Sequence, residues 1–79
     1  MMIKVHSIEV SPDMISYICD VEDLDSYQFR MELNTSDLEQ RFVSVEPDIY
    51  TRLAHGLVVR AIEKYGIDEI PPVLYGAWG

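Results

Sequence analysis

Cysteine occurs once, at Cys19, so no disulfide within the chain staples the fold. A lone thiol leans toward a reducing compartment. Long apolar runs are also missing: no stretch approaches the ~18 residues that span a bilayer. No basic stretch behind Met1 and Met2 leads into an apolar run as a secretion signal would. The expectation is a cytoplasmic protein of a bacterium or its phage. Positive charge is scarce, with six bases against 14 acids and a net charge of −8. Such a surface repels phosphate backbones and anionic lipid, which disfavours direct binding to nucleic acid or membrane. Glycine is sparse and scattered, at Gly56, Gly66, Gly76 and Gly79, so no phosphate-cradling loop is formed. Neither GxSxG nor HExxH occurs. No enzyme and no cofactor is expected.

What is present fits a single domain, 1–79. Apolar residues make up 48% of the chain, as in ordinary globular proteins. A chain of this length buries about 60% of the surface that its unfolded form exposes.

Ile3 to Val10 is rich in β-formers, but its alternation slips by one near His6–Ser7, which predicts a bulge. Ser11-Pro12-Asp13 is turn chemistry. Met14 to Val21 reads as a second strand with Ile15, Tyr17, Cys19 and Val21 on one face. Tyr27 to Leu33 is a third, with Tyr27, Phe29, Met31 and Leu33 together. Short links predict an antiparallel meander. Residues 36–45 are open between two readings. Ser36 and Glu39 have capping-box spacing for a helical turn over 36–41, and 42–45 has the composition of a fourth strand.

A helix is predicted over 47–65, about 28 Å long, with Pro47 in its first turn, Asp48 at the positive dipole end and Gly66 as C-cap. Its apolar positions from Ile49 to Ile62 cover about 220° of circumference, more than the ~100° that faces one core. Either the tail or a second chain is expected to cover the remainder. That tail, after the stiff Pro71-Pro72, carries Val73, Leu74, Tyr75, Ala77 and Trp78. The predicted fold is therefore α+β: a three- or four-stranded antiparallel β-meander, one long α-helix packed on the sheet, and an extended apolar C-terminal tail.

Candidate sites are few. Asp20, Glu22, Asp23 and Asp25 form the densest polar cluster. The cluster lacks the glycine and the final glutamate of a helix–loop–helix calcium loop, and a solvated hairpin loop is its ordinary reading. Residues 1–26 carry six acids and one base. Glu9, Asp13, Asp20, Glu22, Asp23 and Asp25 are thus the candidates for engaging a basic protein partner. His6 and His55 have no metal-ligand partner at suitable spacing, so no metal site is expected. Cys19 reads as a packed thiol rather than a nucleophile. Arg52, Arg60 and Lys64 recur along one helix face but are too few for a nucleic-acid footprint. Gly56 costs a helix interior about 1 kcal/mol, and with Val59 beside it suggests close approach of a second copy. Gly56, Val59 and Trp78 are the candidates for self-association.

The sequence points to a small acidic protein-binding module without enzymatic activity, in sharper form an inhibitor that engages the basic surface of a nucleic-acid-handling protein. The alternative is a homodimeric ligand-binding or enzyme accessory protein with a pocket near Tyr65, Tyr75 and Trp78.

Overall fold

The computed structural model describes residues 1–22, 27–42 and 45–78. Alternation of apolar and polar side chains lays down β1 (Met2–Val10), β2 (Met14–Val21) and β3 (Tyr27–Asn34) as a meander. A short β4 (Gln40–Phe42) follows, then α1 (Ile49–Tyr65), one 3₁₀ turn at Ile67–Glu69, and β5 (Leu74–Ala77). The strands form one antiparallel sheet in the order β4-β3-β2-β1-β5, with α1 against one face. This is the α+β architecture that the sequence implies, with one strand more.

The core is the inward half of each alternation. Ile3 and Val5, then Ile15, Tyr17, Cys19 and Val21, then Phe29, Met31 and Leu33 are buried. They meet Ala54 and Val58 of α1. Each buried Ile, Leu, Val or Phe contributes about 1.5–3 kcal/mol. The bulge in β1 is real: His6 faces Ile18 but Glu9 faces Ser16, so three steps on β1 match two on β2. Ser7 absorbs the extra residue at φ 53°.

Residues 36–41 form no helix. Leu38 stands at φ 62°, which breaks any helical run. Its amide reaches the Asn34 carbonyl, and the Asn34 amide reaches that of Glu39, so the chain turns straight into β4. The Ser36–Glu39 capping-box reading is therefore corrected. The strand reading holds, though at 40–42 and not 42–45; residues 43 and 44 lie outside the described residues. The capping box belongs instead to Asp48 and Thr51. The Asp48 carboxylate accepts from the Thr51 amide at 2.8 Å, and the Thr51 hydroxyl accepts from the Asp48 amide at 3.0 Å. Pro47 and Asp48 thus precede the helix rather than open it, because the cap itself needs extended backbone (φ −150°). At the other end Gly66, at φ 87°, closes α1 by donating to the Ile62 carbonyl.

The wide apolar arc of α1 is partly spent on solvent, since Ile49 is 56% and Tyr65 44% exposed. The chain's own tail covers part of the rest, at Leu57. Leu74 and Gly76 face the helix side of the sheet, paired with Val5 and Ile3. A Cβ on Gly76 would lie 2.4 Å from Trp78 Cη2 and 2.8 Å from Leu57 Cδ2, so the indole and Leu57 occupy the space that glycine leaves. The Met1 amine donates to the Trp78 carbonyl at 2.7 Å, and the Trp78 amide donates to the Met1 carbonyl at 2.8 Å.

Candidate functional site

The helix covers one face of the sheet and leaves the other to solvent, as antiparallel sheets allow. Cross-strand neighbours line up charges on the open face. Lys4 lies beside Asp20, and Asp20 beside Gln28. The Gln28 amide donates to Asp20 Oδ1 at 2.6 Å. His6 Nε2 sits 3.0 Å from Asp20 Oδ2, at ion-pair distance but off the line of a hydrogen bond. Asp20 is thus held by its own sheet. Glu22 is exposed just past β2; Asp23 and Asp25 lie outside the described residues.

The candidate acids divide between two ends of the molecule. Asp13 precedes β2 and Asp20 nearly ends it, a separation of about 23 Å at 3.3 Å per residue. Glu9 lies beside Ser16, nearer the Asp13 end. The fold adds acids there that the sequence reading did not single out. The Thr35 hydroxyl donates to the Pro12 carbonyl at 2.7 Å and its amide to the Asp13 carbonyl, joining the β1–β2 and β3–β4 turns. The 3₁₀ turn packs nearby, since Pro12, Thr35, Ile67 and Asp68 line one concavity. Exposed Glu9, Asp13 and Asp68 therefore share one end of the molecule, Glu9 on the open face with Ser16 and Glu32, and Asp68 beside Ile67 on the side that α1 covers.

Concavities open on both faces at that end. Val10 is 46% exposed and borders three adjoining concavities of about 260, 370 and 370 Å³. Ile8, Ile67 and Ile70 form half-buried walls. Glu9, Glu32 and Asp68 are the charged residues lining these concavities, and no lysine, arginine or histidine lines them.

Gly56, Val59 and Trp78 are placed differently from one another. A Cβ on Gly56 would meet nothing closer than the Arg60 guanidinium at 3.9 Å, so the helix there borders open space. Val59 is half-buried and packs on its own core, so it is not an exposed contact for a second copy. Trp78 is half-buried against its own chain. Arg52, Arg60 and Lys64 are all exposed.

Other polar groups are engaged in structure. The His55 ring donates from Nε2 to the Leu38 carbonyl at 2.7 Å, pinning the β3–β4 turn to α1. The Tyr27 hydroxyl donates to Asp48 Oδ2, and this bond, followed by burial, pushes the phenol up to about 12. Burial works to raise the Asp48 carboxyl, but hydrogen bonds from Tyr27, Thr51 and Tyr50 outweigh it and hold the group below its ordinary value. Burial, with a smaller push from Asp20, raises the Cys19 thiol to about 12, the reverse of an activated nucleophile. Among the described residues no group of three or more His, Cys, Asp or Glu side chains converges to hold a metal ion. No helix among them is long and apolar enough to cross a membrane.

No family model matches the chain, and neither a curated protein nor a solved structure matches it.

Proposed function

We propose that this chain is a non-enzymatic protein-binding module that presents carboxylates to a basic surface of its partner. One observation carries the reading: exposed Glu9, Asp13 and Asp68, from distant parts of the chain, share the end of the molecule where Val10 is exposed, and no basic residue lines the concavities that Val10 borders. Apolar contact supplies affinity at such a surface, and charge supplies steering and selectivity. A basic surface that ordinarily holds nucleic acid is the sharper form of the partner, the carboxylates standing where phosphates would.

The test is quantitative affinity capture with the parent chain and two neutralised variants. One carries Glu9→Gln and Asp13→Asn. The other carries amides at Asp20, Glu22, Asp23 and Asp25. A partner that is released by moderate salt and lost with one of the two sets supports the reading. Partners held equally by both variants at every salt concentration would remove it.

Self-association is the second reading, favoured by the β5 edge. Leu74–Ala77 carries no charge, and Tyr75 is 59% exposed. Uncharged edges invite pairing with another strand, and a two-fold pairing of β5 with its copy would extend the sheet across both chains. Light scattering over a range of concentrations decides it. A dimer that Tyr75→Lys or Gly56→Leu dissociates supports the reading, and a monomer at every concentration rules it out.

A further inference from the structure

We infer that the concave surface around Val10 is the docking site for an extended, basic and aliphatic segment of a protein partner. The inference rests on the proposed binding role and assigns it to one place with one kind of occupant.

Three observations converge there. The first is an open strand edge. β5 pairs with β1 only over Met2–Val5, so among the described residues no strand pairs with the second half of β1 on the side away from β2; the segment 67–72 forms the far wall of a concavity there. The stretch His6–Val10 spans about 13 Å, and a concavity of about 370 Å³ separates Ile8 and Val10 from Ile67, Ile70 and Pro72. An extended peptide gains main-chain hydrogen bonds at such an edge. The second is apolar shape. Val10 stands proud between two concavities of about 370 Å³, and Ile8, Ile67 and Ile70 wall them. An extended segment laid along this edge turns alternate side chains to the helix side, where an aliphatic residue can seat between Ile8 and Ile70.

The third is charge. Asp68 lines both of these concavities, while Glu9 and Glu32 line the third. Asp13 and Glu69 are exposed just beside them in the chain. Arg30 shares a further concavity with Glu9 on the open face, but no cation lines the two beside Asp68, so lysine or arginine flanking the aliphatic residues is the complementary pattern there. An acidic segment is repelled, and a neutral apolar segment forgoes the steering. The bulge gives the site its form: by bending β1 after His6, it parts the second half of the strand from the line of β5.

The experiment titrates ¹⁵N-labelled protein with a synthetic nine-residue peptide that alternates lysine with isoleucine. One control replaces each lysine with glutamate, and a second replaces each isoleucine with serine. Amide shifts locate binding, and fluorescence anisotropy at two salt concentrations measures it. The expected result is binding by the lysine–isoleucine peptide with shifts centred on Ile8, Val10, Ile67 and Ile70. Val10→Ser should weaken it about tenfold. Asp68→Asn, at an exposed residue, should weaken it about two- to fivefold and flatten the salt dependence. If the lysine–serine peptide binds equally well, or the shifts centre on Asp20 and Glu22, the docking site is overturned while the carboxylate-presenting role stands. If neither basic peptide binds better than the glutamate peptide, the role itself fails and the docking site with it.

Discussion

The hydroxyl of Tyr27, at the start of β3, donates to the carboxylate of Asp48, the residue that caps α1. One aspartate thus serves two elements: its other oxygen accepts the Thr51 amide. The Tyr27 ring also meets Tyr50 edge-on at 5.3 Å, so the first turn of the helix is fixed to the sheet by polar and aromatic contacts together.

Tyr27→Phe should cost about 1 kcal/mol at neutral pH, the worth of a partly exposed hydrogen bond to a charged group. The pH dependence has two limbs. The Asp48 carboxyl is lowered on folding, so its contribution is full above the ordinary value of 3.8 and fades as pH falls through the folded value. The Tyr27 phenol is raised, so its contribution is full below 10.0 and fades as pH climbs through about 12. A double-mutant cycle with Asp48→Asn, by urea unfolding at neutral and acid pH, checks this. A coupling energy that persists unchanged in acid would contradict it.

Gly76→Ala should destabilise the protein by about 1–3 kcal/mol through overpacking. The added methyl would enter the space of the Trp78 ring and Leu57. The indole, near the end of the chain, should lift toward water and its emission shift to the red. An unshifted spectrum would show that the packing tolerates the methyl.

Ser7→Gly should raise the thermal midpoint by several degrees. Ser7 holds the bulge at φ 53°, a conformation that costs an L-residue about 1–2 kcal/mol and glycine little. The Ser7–His6 side-chain hydrogen bond is exposed and offsets little of the gain. Calorimetry on the pair decides, and a lowered midpoint would mean that the serine hydroxyl matters more than the backbone.

The Cys19 thiol should resist a disulfide reagent at neutral pH until the protein unfolds. It is fully buried, and burial pushes its pKa to about 12. The labelling rate should rise with urea in step with unfolding. Prompt labelling of the native protein would refute the burial.

The strands that carry a long period were legible. Eight residues of β2 and eight of β3 alternate cleanly, and the phase slip at His6–Ser7 marks the bulge in the sequence itself. Short elements were not. Three residues of β4 hold no measurable period, and Ser36 with Glu39 has the spacing of a capping box without the backbone of one, because Leu38 turns left-handed. The tail was recognisable as apolar and docked. Its identity as a strand depended on β1 offering an edge, which no local signal reveals. The acidic site divides the same way. Glu9 and Asp13 stood out because they are close in sequence. Asp68 reaches the same end of the molecule only through the fold, and Asp20 is held beside His6 of the neighbouring strand.

All the pairings in the sheet but one join strands adjacent in sequence. β5 returns to β1 with Met2 facing Ala77. Closing so long a loop adds little to the equilibrium cost, which grows only with the logarithm of length, but such distant contacts form late. Until they do, the nine residues of β1 are themselves the rim of the sheet, a template on which another unfinished chain can polymerise. The small strand at residues 74–77 covers only Met2–Val5 of that rim and becomes a rim in its turn. The interval before it docks is when a newly made molecule is most exposed to capture by its own kind.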